Sequence, residues 1–299
     1  VSGRRPAGEV LVTGCNGQLG ADAVEFFRSA GHEVTGCDLP QVDITSPDQI
    51  AGVVRSSSPD AVLHAAAMTD VDGCERDPDA AFMTNALGTR NVAVACQQSG
   101  AALVYISTDF VFDGTGRRPY REFDAPRPLC VYGSSKLAGE QYVRHLVSRH
   151  MVVRTAWLFG PRGRNFVRSI LEAAGRGTHL RVVNDQVGSP TYSRHLAATL
   201  VRLVETGLWG TYHATNTGST SWWAFAVEIL RCAGLGGRTV DQITSGELRR
   251  PARRPTYSVL DLSALEETLG ERMPHWRDAL REFLEGPGRS LVGDVEECA

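Results

Sequence analysis

No apolar run in the 299-residue chain approaches the length of a membrane-spanning helix, so no membrane partner is expected. Residues 1–8 lack the apolar core of a signal peptide and read as a loose tail. The seven cysteines, Cys15, Cys37, Cys74, Cys96, Cys130, Cys232 and Cys298, are scattered, odd in number and free of any C-x-x-C pair. That pattern excludes a disulfide framework and points to a reducing compartment, so a cytoplasmic protein is expected. Zinc-ligand spacing is also missing. Neither sign of charge dominates: a formal net charge of -3 gives no electrostatic reason to expect nucleic acid. There is no internal repeat and no flexible linker. What remains, 42% hydrophobic and 22% charged residues, is the balance of a soluble globular protein. The length suits one large α/β domain or two coupled ones.

Glu9-Val10-Leu11-Val12-Thr13 is short, apolar and β-rich, which predicts a buried strand. Gly14-Cys15-Asn16-Gly17-Gln18-Leu19-Gly20 follows, then a helix expected over residues 21–30. Strand, glycine turn and helix in that order form a dinucleotide-phosphate site. Glycines let the backbone approach a pyrophosphate, and the helix N-terminus presents free N–H groups to it. The spacing is G-x-x-G-x-x-G, and a plain turn is the bland alternative. Asp38 ends the second expected strand, about 20 residues past the turn, where an acid can bond ribose hydroxyls. That favours NAD, because a carboxylate repels a 2′-phosphate; a loop aspartate capping its own turn is the competing explanation. Asp43 and Ile44 are placed to border an adenine. Ala65, Ala66 and Ala67 end a third strand with side chains small enough for a cofactor to pass over. His64 in that strand is more simply a satisfied core histidine. Asp70, Asp72 and Glu75 suggest a metal cluster less than they suggest loop and helix-start acids. Thr69, and Asn85 on a single helix expected over residues 78–99, complete the cofactor set.

Ser107-Thr108-Asp109 sits at the tip of the next strand, where open α/β sheets place their chemistry. Tyr132 and Lys136 follow, one helical turn apart and therefore on one helix face. A free phenol, with a pKa of about 10, is a poor acid at neutral pH. A cation beside it is expected to lower that value, so that the phenol can protonate a carbonyl oxygen. An exposed helix pair is the commoner explanation of Tyr-x-x-x-Lys, and the upstream pattern gives the pair its weight. In the second half, Trp157 can stack on a sugar or base, or sit in a core. Asn184, Asp185 and Gln186 form a polar loop able to bond a sugar nucleotide, or a turn. Trp222 and Trp223 are expected to pack in a smaller domain. Arg249, Arg250, Arg253 and Arg254 form the only dense basic run, a phosphate clamp or a solvated loop.

These motifs together resemble the dTDP-4-dehydrorhamnose reductase family within the extended short-chain dehydrogenase/reductases. The likeness rests on Gly17-Gln18-Leu19-Gly20, Ala65-Ala66-Ala67, Ser107-Thr108-Asp109-Phe110-Val111-Phe112, Tyr132-Gly133 and Lys136-Leu137-Ala138-Gly139-Glu140. It continues through Arg154-Thr155-Ala156-Trp157, Asn165-Phe166-Val167, Asn184-Asp185-Gln186 and Arg254-Pro255. The resemblance implies that Tyr132 is a proton donor, that Lys136 is its partner and holds the nicotinamide ribose, and that Thr108 is the hydroxyl of the triad. It implies that Asp109 and Trp157 border the sugar or nucleotide, with Asn184, Gln186 and Arg254 as further substrate contacts. Met68 stands where the family usually has an aromatic residue or histidine. Arg194 stands where some relatives have a magnesium-binding glutamate, so no metal is expected.

The expected fold is α/β: a Rossmann-type doubly wound parallel sheet over residues 9–155, joined by part of 191–213. A smaller α/β substrate lobe is expected over 156–190 and 214–285, with residues 286–299 loose. The implied activity is NADH- or NADPH-dependent reduction of the C4 ketone of a dTDP-4-keto-6-deoxy sugar, with a homodimer as a conceivable assembly. Two alternatives stay open. One is an epimerase or dehydratase that retains NAD. The other is a non-catalytic regulatory subunit of an S-adenosylmethionine-making enzyme.

Overall fold

The computed structural model describes residues 8–296; the rest of the expected N-terminal tail, residues 1–7, and residues 297–299 lie outside it. The chain enters at β1 (Glu9–Thr13), turns into α1 (Gln18–Ser29) and returns as β2 (Glu33–Cys37). Next, α2 (Pro47–Ser57) crosses to β3 (Ala61–His64). Short helices α3 (Val71–Arg76) and α4 (Pro78–Phe82), a π-helical turn (Met83–Gly88) and α5 (Thr89–Ser99) lead to β4 (Ala102–Thr108). Then α6 (Val131–Leu146) leads to β5 (His150–Thr155). Beyond it come β6 (Leu158–Phe159), α7 (Phe166–Gly175), β7 (Leu180–Val183), β8 (Val187–Gly188) and β9 (Thr191–Tyr192). The chain goes on through α8 (Ser193–Thr206), β10 (Gly210–His213), β11 (Thr220–Ser221), α9 (Trp222–Cys232) and β12 (Val240–Ile243). It closes with α10 (Ser245–Leu248), α11 (Ser263–Leu269), α12 (Trp276–Glu285) and α13 (Arg289–Glu296).

Six strands form one sheet in the order β10-β5-β4-β3-β1-β2, and every neighbouring pair is parallel. Such strands are covered on both faces, so successive residues must be apolar. Val10, Leu11 and Val12 are at most 2% exposed. Val10 and Val12, with Leu63, Val104 and Val153, meet Phe27 of α1 and Leu196 and Leu200 of α8. Leu11, with Val62, Leu103 and Val152, points the other way, onto Ile50, Val54, Val92, Cys96 and Val143. Each such side chain contributes about 1.5–3 kcal/mol on burial. From β1 the chain moves outward to β2 and then jumps back to β3. Strand order therefore reverses at β1, and a crevice opens above the C-terminal ends of β1 and β3.

A second core lies beside this sheet. The parallel pair β7–β12 is covered by α7, α9 and α12 through Val167, Ile170, Phe225, Ile229, Trp276, Leu280 and Phe283. Residues 286–296 are not the loose end the sequence suggests. Arg289–Glu296 form α13, and Leu291 is buried in the second core, because the lobe leaves an apolar face there to be covered. The single helix expected over residues 78–99 is also interrupted, by the π turn at Met83–Gly88.

Candidate active site

The C-terminal strand ends and the second lobe enclose a cleft of about 1050 Å³. Gly14, Gly17 and Gly20 form its floor with Gln18 and Leu19. Gly14 has φ +70, and a Cβ there would come within 2.7 Å of the Ala66 nitrogen. The turn therefore needs glycine twice over, for its backbone angle and for close packing on the segment that follows β3. A Cβ at Gly20 would strike the Gly14 carbonyl. Gly17 gives α1 no side-chain cap, so the N–H groups of the first turn face the cleft unspent. Ala65, Ala66, Ala67 and Thr69 line the adjoining wall. The bare cradle, the uncapped helix and the alanines fit the pyrophosphate and nicotinamide ribose of NAD(P).

On the adenosine side, Asp38, Asp43 and Ile44 line the cleft. Asp38 is partly spent: one carboxylate oxygen accepts the Asn16 N–H at 2.9 Å and the other its neighbour Leu39 N–H at 2.8 Å. It thus pins the glycine turn as well as facing the cleft. Asn16 acts through that backbone N–H and does not line the cleft. Asn85 does not line it either. It is fully buried, accepts the Met68 N–H at 2.8 Å, and donates to the Met68 carbonyl and the Ser135 hydroxyl at 3.0 Å each. Its amide braces the loop leading to Thr69 against α6. His64 is a core residue, bonded to Thr13 (2.7 Å) and Thr89 (3.1 Å), and burial pushes its pKa down to about 3.

Thr108 at the tip of β4 and Tyr132 and Lys136 on α6 all line the cleft. A Cβ at Gly133 would strike the Phe110 carbonyl, so α6 can approach the segment after β4 only with glycine there. The Tyr132 pKa moves opposite to the expectation. Burial pushes it well above the ordinary phenol value, and the neighbouring Thr108 hydroxyl only partly offsets this. Desolvation of the phenol is the largest cause. The Lys136 ammonium lies over the Tyr105 ring, 4.2 Å from its centroid, and is itself desolvated, which lowers its pKa to about 7. Asp109 is buried beside them and is raised to about 6 by desolvation, despite hydrogen bonds from Ser258 (2.5 Å) and Thr108 (3.1 Å).

Asp109 lines the cleft with Thr108, Tyr132 and Lys136; on the lobe side Trp157, Gln186 and Arg254 line it and Asn184 does not. Asn184 turns away to donate to Gln242 at 2.9 Å and to accept from Ser221 at 2.5 Å. Arg254 reaches the cleft but is ion-paired: Asp72 takes it at 3.0 Å, Arg250 at 3.1 Å and the Ala252 N–H at 3.2 Å. Burial would raise the Asp72 carboxyl, but these partners outweigh it and hold it below its usual range. Sequence reasoning missed Trp222, Arg164 and Ser258, which also line the cleft. The sequence placed Trp222 only in the core of the smaller domain, and nothing local marked the other two.

A family model described as the RmlD substrate binding domain matches residues 8–287. The dTDP-4-dehydrorhamnose reductase of Streptomyces griseus is 41% identical, covering 91% of each chain. The spore coat polysaccharide biosynthesis protein SpsK of Bacillus subtilis is 40% identical over 93% of this chain and 97% of that one. Among solved structures, the dTDP-4-dehydrorhamnose reductase from Bacillus anthracis in complex with NADP has a TM-score of 0.90 and 41% identity. It covers 93% of this chain and 99% of that chain.

Proposed function

This chain belongs to the RmlD substrate binding domain family, and on that premise we propose that it reduces the C4 ketone of a dTDP-4-keto-6-deoxy sugar with NADH or NADPH. The observation that carries this reading is the meeting of Thr108, Tyr132 and Lys136 in a cleft floored by the glycine turn. Bound nicotinamide supplies the hydride. Tyr132 supplies the proton: its raised pKa keeps the phenol protonated at neutral pH, ready to donate to an oxygen that becomes an alkoxide. Thr108 sits beside the phenol, and its hydroxyl proton, which rests on Asp109, can turn to the same oxygen. Lys136, with a pKa of about 7, can hold a ribose hydroxyl and restore the phenol's proton. Asp109, Trp157, Gln186 and Arg254 face the sugar nucleotide.

The test is a panel of dTDP-4-keto-6-deoxy sugars with NADH or NADPH, read by loss of reduced-cofactor absorbance and by product analysis. Consumption of cofactor with formation of the 4-hydroxy sugar is expected. Tyr132→Phe should lose about 10²-fold or more in kcat while still binding cofactor. No turnover with any member of the panel would overturn the reading, and full activity of Tyr132→Phe would remove the phenol from it.

A further inference from the structure

Trp157 follows β5 and carries φ +48. A bulky L-residue in that region is strained, and such strain persists only where neighbours over-determine it. Here they do. The Trp157 indole lies flat on Trp222, with ring centroids 3.5 Å apart and planes 7° apart. Gly188 leaves room for the indole, since a Cβ there would come within 2.6 Å of its Cε2 and Nε1 atoms. The Trp157 carbonyl accepts the Thr191 N–H at 3.1 Å, which fixes the backbone. Phe166 backs Trp222 with centroids 4.5 Å apart.

Trp222 is the first residue of α9, and Ser221 caps that helix by accepting the Ala224 N–H at 3.2 Å. Both indoles line the cleft and both are half-buried. A tryptophan needed only for the lobe's core would bury its ring at ordinary backbone angles. This one is propped, at a conformational cost, where it lines the cleft.

We propose that Trp222 is a positioning residue: by stacking on Trp157 it holds that indole as the wall against which the sugar nucleotide packs. Sugar C–H faces and nucleobases both favour such a surface. The position of α9 thus sets how closely the substrate approaches the reacting groups. This inference rests on the keto-sugar reading above and adds to it a residue that touches no reacting atom.

The experiment uses full-length Trp222→Leu, Trp222→Phe and Gly188→Ala. Stacked indoles give an exciton couplet in far-ultraviolet circular dichroism, and Trp222→Leu should abolish it. In that variant KM for the keto sugar should rise about 10-fold or more with kcat changed far less, because uniform substrate binding is lost. The Kd for NADPH should be unchanged, and Trp222→Phe should recover most of the KM. Gly188→Ala, which displaces the indole from its other contact, should raise KM without removing a tryptophan. If Trp222→Leu fails to fold, Gly188→Ala decides by the couplet and KM, and Trp222→Phe by KM alone. In Trp222→Leu or Gly188→Ala, loss or distortion of the couplet with an unchanged KM overturns the inference while leaving the reductase reading intact. Absence of turnover in the unmodified chain overturns the reductase reading instead. The stack is then judged by titration with dTDP, which should perturb the couplet of the unmodified chain; an unperturbed couplet overturns the inference too.

Discussion

Glu140 is fully buried on α6, one turn beyond Lys136, and both of its oxygens are engaged. Arg154 of β5 grips them bidentately at 2.8 Å each, Ser107 of β4 donates at 2.6 Å and Arg144 donates at 2.9 Å. This cluster locks α6 to the two strands beneath it, and so fixes the register of Tyr132 against Thr108. Burial alone would raise the Glu140 carboxyl, but Arg154, Arg144 and Ser107 outweigh it and hold it below its usual range. Removing one partner of a buried pair leaves an uncompensated charge, so Glu140→Ala should cost about 3–5 kcal/mol in urea unfolding. The sign with pH follows. A depressed carboxylate stabilises above its unfolded pKa, so the gap between the unmodified chain and the variant should close as pH falls through the folded value. Lys136 works the other way. Its folded pKa of about 7 lies below the ordinary 10.5, so the unfolded chain binds more protons between those values. Stability should therefore rise with pH across that window, although Glu140 and Cys74 moderate the shift. Urea unfolding at several pH values should show the rise in the unmodified chain and not in Lys136→Met.

Between α4 and α5 the π turn Met83–Gly88 swings Asn85 inward, where it ties the Met68 loop to α6. Single-turn π segments often mark functional sites, and this one braces the cofactor wall from behind. Asn85→Ala would leave buried groups unpaired, so about 1–3 kcal/mol should be lost in unfolding and NADPH should bind more weakly as Thr69 loosens. Unchanged cofactor titration would show that the loop does not need the brace. The sequence carried no sign of this turn. Helical patterning over residues 78–99 is local, whereas the partners of Asn85 lie 17 and 50 residues away. The strands around Val10–Val12 and Leu63, the glycine turn and α6 were legible because their signals are local: continuous apolar runs, a turn that only glycine can make, and i, i+4 spacing. That spacing placed Tyr132 and Lys136 on one face but carries no information on how far the phenol is desolvated, and desolvation sets the sign of the Tyr132 shift. Asn184 looked like a substrate ligand in a polar loop, yet its amide is spent on Gln242 and Ser221, 58 and 37 residues distant.

The two lobes meet across the cleft through a few polar ties. Near the glycine turn, the Asn165 side chain caps α7 by accepting the Arg168 N–H, and donates to Gln18 at 3.1 Å and to the Gly160 carbonyl at 2.9 Å. Elsewhere on the rim, Asp72 at the start of α3 holds the segment bearing Arg250, Ala252 and Arg254, as many as 182 residues away in the chain. Asp72→Ala has two opposed consequences there. It frees the Arg254 guanidinium for a substrate diphosphate, and it releases the segment that carries it. Partly exposed ion pairs are worth only about 0–1 kcal/mol, so the freed charge gains little. Ordering one backbone residue costs about 1–2 kcal/mol, so a segment loosened at even two residues loses more than that. KM for the keto sugar should therefore rise about 10-fold, with the NADPH Kd and the unfolding midpoint little changed. Because the Asp72 carboxyl is held below its usual range, lowering the pH through its folded value should raise KM in the unmodified chain and not in Asp72→Ala. A KM that falls in the variant would mean that the freed arginine outweighs the lost order, and that Asp72 restrains a phosphate clamp rather than building one.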